Sequence, residues 1–379
     1  MHDDPRSPAD SEAAAVSLFI QQLYSCCPRV IVIPAILAIN VATFIYLLYR
    51  GAGITGENLQ VYIEYGANLG ALTKSDQWWR LLTATFMHYG ILHLVFNMWV
   101  LWDAGRLTER LFGHFNLAWI YIFSGLLASL SSLYWNQDDV ASIGASGAVF
   151  GIFGALIGYL LRQRQTIPQL LLKQLMKSAL IFTGITLFLG ATIPAIDNAA
   201  HIGGWASGLI MGLLLAKPLT HKRPPLRPAL LAHAGSICLL VMGVILSPPP
   251  YYDYPSQKRA EATIGEFIEE ERILIKDWKT MVDELQSGKA IDQSTMLERL
   301  SNSLAQWSQL RNNTRASGNI RPETAKRIDL LNQYAGYRID NIRILIQYMN
   351  SPGEIYLDML KKNNDAIRDI MKEINSPSA

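Results

Sequence analysis

The chain has 379 residues, of which 50% are hydrophobic and only 17% are charged, so it is apolar for a soluble protein. Its formal net charge of +2 is too small to favour nucleic acid as a partner, and its three cysteines follow neither a disulfide nor a zinc-site pattern. More than half of the charged residues lie in 251–379, which indicates a membrane part followed by a water-soluble part.

The N-terminal part leads into a first membrane span. Residues 1–28 are polar with scattered Pro and Ser, and we expect them to be a loosely ordered cytoplasmic segment. Their acidic start fits neither a secretory signal nor a mitochondrial presequence. The next run, Val30–Tyr49, is long and apolar enough to span a hydrocarbon core of roughly 30 Å. Residues 51–80 then form a long loop, whose Trp pair and Arg80 suit the headgroup region.

Six further apolar runs follow, so the sequence predicts seven membrane spans. They are Leu92–Asp103 with Leu81–Ile91 leading in, Leu117–Trp135, Ser146–Leu161, Ser178–Ile193, Ala199–Ala216 and Pro228–Leu246. Lys and Arg are concentrated after the second, fourth and sixth spans, and the last of these groups includes Lys222 and Arg223. Because basic connections stay in the cytoplasm, the N-terminus is predicted inside, and Ser146 near the outer face.

The C-terminal third has the pattern of a soluble helical bundle. After Pro248 the sequence predicts four helices, at Gln257–Gln286, Asp292–Asn312, Pro322–Asn350 and Glu354–Asn375. The predicted organisation is a cytoplasmic segment at 1–28, a six-helix core at 29–217, a seventh span with a Pro-rich boundary at 218–250, and an extracytoplasmic helical domain at 251–379.

A serine between two glycines opens the fourth span. Gly144 allows a sharp backbone turn, and Gly147 removes bulk beside the Ser146 hydroxyl. The pattern is not the G-x-S-x-G elbow of soluble hydrolases, because Ala148 occupies the last glycine position. A hydroxyl here fits a nucleophile, and it also fits ordinary packing in a membrane helix.

A histidine lies at the same predicted depth, at the start of the sixth span. Gly204, Gly208 and Gly212 recur every four residues in this span, and small residues on one face permit close helix packing. Packing against the glycines of the fourth span would bring His201 toward Ser146, and histidine is the usual base for a serine. The alternative is an interfacial histidine without a chemical role.

A second polar group precedes and enters the second span. His93 and Asn97 are four residues apart, so they share a helix face and, with the Ser146 N–H, are candidates to stabilise an oxyanion. A metal site with His88 is the alternative, but the five-residue step from His88 to His93 predicts different faces of a helix. Asp197 is expected in the outer loop rather than as a third catalytic residue, which favours a serine–histidine pair.

In combination, these motifs resemble the rhomboid family of intramembrane serine proteases over roughly residues 28–217. The resemblance implies an all-α polytopic membrane protein with a six-helix rhomboid-like core, here followed by a seventh transmembrane helix and a soluble bundle. The matching residues are Trp79-Arg80, His88, His93 with Asn97, Gly105-Arg106 with Glu109 and Gly113, Gly144-Ala145-Ser146-Gly147, and Ala200-His201 with Gly204 and Gly208.

The resemblance assigns expected roles to these positions. Ser146 would be the nucleophile and His201 the general base. His93, Asn97 and the Ser146 amide would form the oxyanion hole, with His88 in support. Gly144 and Gly147 would shape the turn, Phe150 would stack on the catalytic histidine, and Arg80 and Glu109 would make structural polar contacts.

The expected function is cleavage of transmembrane segments of other membrane proteins near the outer face, in contact with membrane lipids and without a cofactor. A bacterial inner membrane fits the predicted orientation, and the sequence specifies no oligomeric state. One alternative is a non-proteolytic client-binding relative, against which the presence of both Ser146 and His201 argues. The other is a transporter, which an inverted repeat of spans would favour, and the sequence has no such repeat.

Overall fold

The computed structural model describes residues 8–193, 196–219, 226–287 and 291–375. Across these residues the chain is mainly helical, its strands form one two-stranded ladder, and it divides into two compact units, Met1–Pro250 and Tyr251–Ala379. The predicted all-α polytopic fold class is therefore confirmed. The predicted cytoplasmic charges Lys222 and Arg223 lie outside the described residues.

The first unit contains eleven helices within the described ranges. They are α1 Pro8–Cys26, α2 Val32–Tyr49, α3 Leu59–Tyr65, α4 Gly70–Thr73, α5 Arg80–Thr83, α6 Ile91–Phe112, α7 His114–Trp135, α8 Ser146–Arg162, α9 Gln169–Thr192, α10 Asn198–Leu215 and α11 Leu226–Ile245. A 3₁₀ turn covers Ala84–Phe86. Strands β1 Asn68–Leu69 and β2 Ala141–Ser142 pair antiparallel, with Asn68 opposite Ser142.

The expectation of a loosely ordered N-terminal segment is wrong for residues 8–26, which form α1. Phe19 and Leu23 of this helix are buried in the main hydrophobic core. The Tyr24 ring lies 4.3 Å from the Arg110 guanidinium, a cation–π contact. Burial of Phe19 and Leu23, which are four residues apart and share a helix face, therefore stabilises α1.

Each predicted span contains a helix, but the helices differ in how well they suit a membrane. By length and composition, four helices are long and apolar enough to cross a membrane: Val32–Tyr49, His114–Trp135, Gln169–Thr192 and Arg227–Ile245. The segments Arg80–Phe86 and Ile91–Phe112, bent by 89°, make a fifth if they count as one span. Helix α8 is apolar but has only 17 residues, and nearly all of them are buried among neighbouring helices.

Helices α8 and α10 pack with their backbones in contact. A Cβ added at Gly204 would lie 2.0 Å from the Gly147 carbonyl oxygen, and one at Gly208 would lie 2.0 Å from the Gly151 carbonyl oxygen. Only glycine allows this approach, because any side chain would collide with the backbone of the facing helix. The expected contact between the glycine faces of the two spans is confirmed.

Two buried polar residues tie the loops and helix ends together. The Glu109 carboxylate accepts hydrogen bonds from the backbone N–H groups of Ile31, Val32 and Ile33 at 2.7, 2.9 and 3.0 Å, where α2 begins. An anion at a helix N-terminus satisfies unpaired donors and complements the helix dipole. Arg80 donates to the carbonyl of Ala67 at 3.0 Å, which holds the first loop against α5.

The second unit contains four helices, α12 Tyr254–Gln286, α13 Gln293–Asn313, α14 Pro322–Asn350 and α15 Glu354–Ile374. Their ends agree with the predicted helices to within three residues, and the predicted bundle is confirmed. Phe267, Trp307 and Tyr334 lie in its core. Asp292 caps α13, and hydrogen bonds from the Ser294 hydroxyl, and then from Thr295, hold the pKa of the Asp292 carboxyl below its usual range.

Candidate active site

The turn before α8 places Ser146 at the first residue of that helix. Gly144 has φ +140°, and a Cβ there would lie 2.9 Å from His93 Cε1, so both the backbone conformation and the available space require glycine. The Gly144 N–H donates to the Ala84 carbonyl at 3.0 Å, which holds the turn in place. The Ser146 side chain is therefore presented from a constrained turn.

The structure brings Ser146 and His201 together. Ser146 Oγ and His201 Nε2 are 3.0 Å apart, although the two residues are 55 positions apart in the chain. The Phe150 ring stacks on the imidazole with centroids 4.2 Å apart and an angle of 11° between the planes. His201 is 5% exposed, and its Nδ1 has no hydrogen-bond partner among the described residues. A neutral imidazole with its proton on Nδ1 can accept the serine proton at Nε2.

His93 lies next to the serine turn. Its Nδ1 accepts a hydrogen bond from the Tyr89 N–H at 3.3 Å, so the ring proton is assigned to Nε2. A Cβ on Gly144 would lie 3.1 Å from this Nε2, so the donor borders the space immediately before Ser146. An N–H in this place can reach a charge that develops beside the serine.

Asn97 is buried one turn further along α6. Its Nδ2 donates to the His93 carbonyl at 2.9 Å, and no hydrogen bond joins Asn97 to Ser146 or His201 among the described residues. An amide nitrogen carries two hydrogens, and this bond uses one of them. The second hydrogen of the Asn97 amide can therefore donate a hydrogen bond to a bound substrate.

The expectation that His88 and His93 point to different helix faces is wrong. His88 precedes α6, and a turn at Gly90 (φ +85°) separates it from that helix. The two imidazoles consequently contact each other, with centroids 5.2 Å apart, and His88 is fully buried. Within the part of the chain that the structure describes, no group of three or more His, Cys, Asp or Glu side chains is placed to hold a metal ion.

Sequence reasoning missed the contribution of Asp197. This residue is the N-cap of α10, and its Oδ1 accepts the Ala200 N–H at 3.0 Å. Its Oδ2 accepts the Ser142 hydroxyl at 2.7 Å. An acidic residue at the position before a helix is a recognisable N-cap signal, but the contact with Ser142 leaves no local signal in the sequence.

The chain is similar to proteins of one known family. Residues 75–218 match the family model described as the Rhomboid domain. RHOMBOID-like protein 2 of Arabidopsis thaliana is 34% identical over 221 residues, which are 49% of this chain and 67% of that protein. The chain belongs to the rhomboid family. Together with its apolar helices, this membership makes it an integral multi-pass membrane protein.

Other rhomboid relatives differ in what their names state. Rhomboid protease GluP of Bacillus subtilis (strain 168) is 33% identical over 182 residues, covering 48% of this chain and 34% of GluP. Inactive RHOMBOID-like protein 8 of Arabidopsis thaliana is 36% identical over 162 residues, covering 42% of this chain and 45% of that protein. The chain thus spans less than half the length of each of these two rhomboid relatives. Because the family includes a protein named inactive, the activity of a member depends on its own residues.

Proposed function

We propose that this rhomboid-family protein is an intramembrane serine endopeptidase that cleaves transmembrane segments of other membrane proteins near the outer face. The observation that carries the proposal is the 3.0 Å contact between Ser146 Oγ and His201 Nε2. This distance lies within the hydrogen-bond reach that a nucleophile and its general base require. The stacked Phe150 ring supports the role by restricting the orientation of the imidazole.

In the proposed mechanism, Ser146 Oγ attacks the scissile carbonyl carbon while His201 Nε2 takes the hydroxyl proton. The carbonyl oxygen becomes an oxyanion, which accepts hydrogen bonds from the Ser146 N–H, from His93 Nε2 and from the free Asn97 N–H. Collapse breaks the C–N bond, and His201 returns the proton to the leaving amine. Water, deprotonated by His201, then hydrolyses the acyl-enzyme and restores Ser146.

The substrate is proposed to be a transmembrane helix that unwinds locally. A helical carbonyl is shielded by its own hydrogen bond, so a segment with small residues and helix-breaking residues should be cleaved most readily. The exposed apolar side chains of Ile181 and Phe188 on α9, and of Val241 on α11, support contact of these helices with membrane lipids. The distribution of basic residues supports a bacterial inner-membrane location with a cytoplasmic N-terminus and an outer C-terminal domain.

The decisive experiment measures cleavage of a transmembrane model substrate by the full chain purified in detergent. Wild type is expected to cleave, and Ser146→Ala and His201→Ala are each expected to abolish cleavage with folding intact. The double variant should be no worse than either single one, because the two residues act as a unit. Ser178→Ala, on the exposed side of α9, is the matched control and should keep full activity.

The alternative is a non-proteolytic relative that binds membrane-protein clients, and it is kept because one relative is named inactive. Equal binding of a transmembrane segment by wild type and Ser146→Ala, without cleavage by either, would favour it. Equal cleavage by wild type and both dyad variants would instead point to another nucleophile or a contaminating protease.

A further inference from the structure

We propose that Asp197 is a positioning residue that sets the distance between Ser146 and His201, and this proposal rests on the proposed function of that pair. Its carboxylate joins two segments that are remote in the chain, through Ala200 on one oxygen and Ser142 on the other. We call Asp197 with these two partners the Asp197 clamp.

The hydrogen bond between Ser142 and Asp197 joins the same two segments of the chain as the contact between Ser146 and His201. Ser142 and Asp197 are 55 residues apart, which is also the separation of Ser146 and His201. Each member of the candidate pair therefore follows a member of the clamp by four residues. A shift of α10 relative to the segment before α8 would have to break the 2.7 Å bond between the Ser142 hydroxyl and the Asp197 carboxylate.

The serine side of the clamp is held firmly to the rest of the unit. Ser142 lies in β2 opposite Asn68, and the Asn68 side chain donates to the Ser129 carbonyl of α7 at 2.8 Å. Between Ser142 and Ser146, the Gly144 N–H donates to the Ala84 carbonyl at 3.0 Å. The Ser142 hydroxyl is thus a fixed reference point for whatever binds to it.

The histidine side is the first turn of α10. The backbone N–H of His201 donates to the Asp197 carbonyl at 3.1 Å, so a displacement of Asp197 displaces His201 directly. On the other side, Asn198 Nδ2 donates to the Leu187 carbonyl of α9 at 3.0 Å. The clamp connects this first turn to the segment that leads into Ser146, whereas Asn198 connects it only to α9.

Asp197 does not occupy the place of a third catalytic residue. Its carboxylate oxygens accept from Ala200 and Ser142, and no hydrogen bond between Asp197 and the His201 ring occurs among the described residues. The hydrogen bonds of the carboxylate therefore hold the position of α10, and none of them reaches Nδ1 of His201.

Three substitutions separate the helix cap from the link to Ser142. Asp197→Ser keeps a capping oxygen for Ala200 but is too short to reach the Ser142 hydroxyl. Ser142→Ala removes the same link from the other side and leaves the cap intact. Asp197→Asn keeps both contacts, because its oxygen can cap the helix while its amide donates to the Ser142 hydroxyl.

The test uses the full chain in detergent with a transmembrane model substrate. Three quantities are measured: kcat and KM separately, the rate at which a fluorophosphonate labels Ser146, and the melting temperature. We expect Asp197→Ser and Ser142→Ala each to lower kcat and the labelling rate by about 10- to 100-fold, since small misplacements of reacting groups have effects of this size. KM and the melting temperature should change little, and Asp197→Asn should stay near wild type.

The double variant of Asp197→Ser with Ser142→Ala provides the coupling test. If the two substitutions remove the same hydrogen bond, between Asp197 and Ser142, the kcat of the double variant is no lower than that of the slower single variant. If the two decreases in kcat multiply, the proposal is overturned. A decrease in kcat in Asp197→Asn as large as in Asp197→Ser also overturns the proposal. The charge of the Asp197 carboxylate would then be required, rather than its hydrogen bond to Ser142.

The same experiment distinguishes failure of the clamp from failure of the proposed function. If Ser146→Ala and His201→Ala abolish cleavage while Asp197→Ser and Ser142→Ala keep the wild-type kcat, only the clamp is refuted. If the dyad variants keep cleaving, the proposed function fails first. Ser178→Ala, at an exposed position of α9, serves as the control for handling and detergent.

Discussion

The close contact between α8 and α10 makes Gly208→Ala a sharp test of how the two candidate catalytic helices are held. A Cβ at Gly208 would lie 2.0 Å from the Gly151 carbonyl oxygen and 2.6 Å from Gly151 Cα. An ordinary contact at this position begins at 3.4 Å, and both neighbours are backbone atoms, so only separation of the helices can relieve the collision.

The expected size of the effect follows from two opposing terms. Overpacking a tight interface destabilises by about 1–3 kcal/mol, while replacing glycine with alanine inside a helix stabilises by about 0.8–1 kcal/mol. The net loss in the free energy of unfolding relative to wild type is therefore about 0–2 kcal/mol. Separation of α8 and α10 by roughly 1 Å should also lengthen the contact between Ser146 and His201 and lower kcat by about 100-fold.

Gly184→Ala is the matched control, because a Cβ at this position of α9 meets nothing within 4 Å. It should leave cleavage unchanged and raise stability slightly through helix propensity. Thermal unfolding in detergent and kcat on a transmembrane substrate are measured for both variants. Equal melting temperatures and equal kcat values in Gly208→Ala and Gly184→Ala would refute the reasoning from backbone contact.

Three further predictions concern other parts of the chain. Glu109→Gln should destabilise the first unit by about 1–3 kcal/mol, because it weakens charge-assisted hydrogen bonds to buried N–H groups at the start of α2. Glu64→Gln, at an exposed position, should leave the stability unchanged. Thermal unfolding of the two variants measures the difference. Phe150→Leu should keep the fold but lower kcat by about two- to tenfold, since it removes the ring stacked on His201; an unchanged kcat would refute a role for stacking. The Asp292 carboxyl has a lowered pKa in the folded state, so its contribution to stability is complete above about pH 4 and is lost as the pH falls through the folded pKa. Amide exchange in the first turn of α13, corrected for its intrinsic pH dependence, should therefore accelerate below pH 4 in wild type, and this acceleration should be absent in Asp292→Asn.

Local patterns were sufficient for the helical architecture and for family membership. Long apolar runs predicted the membrane helices, and helical periodicity with Gly and Pro at the turns predicted α12–α15, because both signals reside in neighbouring residues. The four-residue glycine repeat in α10 also predicted its close packing against α8, since small residues on one face allow two helix backbones to approach closely.

Contacts between remote residues were decided only by the tertiary structure. Phe19 and Leu23 of α1 are buried in a core made by other helices, and the local sequence does not show which helices they contact. The His88 ring contacts the His93 ring because a turn at Gly90 separates His88 from the start of α6.

The same distinction applies to the candidate site. A serine between glycines and a histidine at a helix start were visible as separate motifs, and the glycine faces suggested that they approach each other. The link from Asp197 to Ser142 had no counterpart in the sequence, because a hydrogen bond across 55 residues leaves no periodicity, composition or spacing from which to infer it. Sequence determined most of the helices and which of their faces are small, and folding determined which polar groups these faces bring within bonding distance.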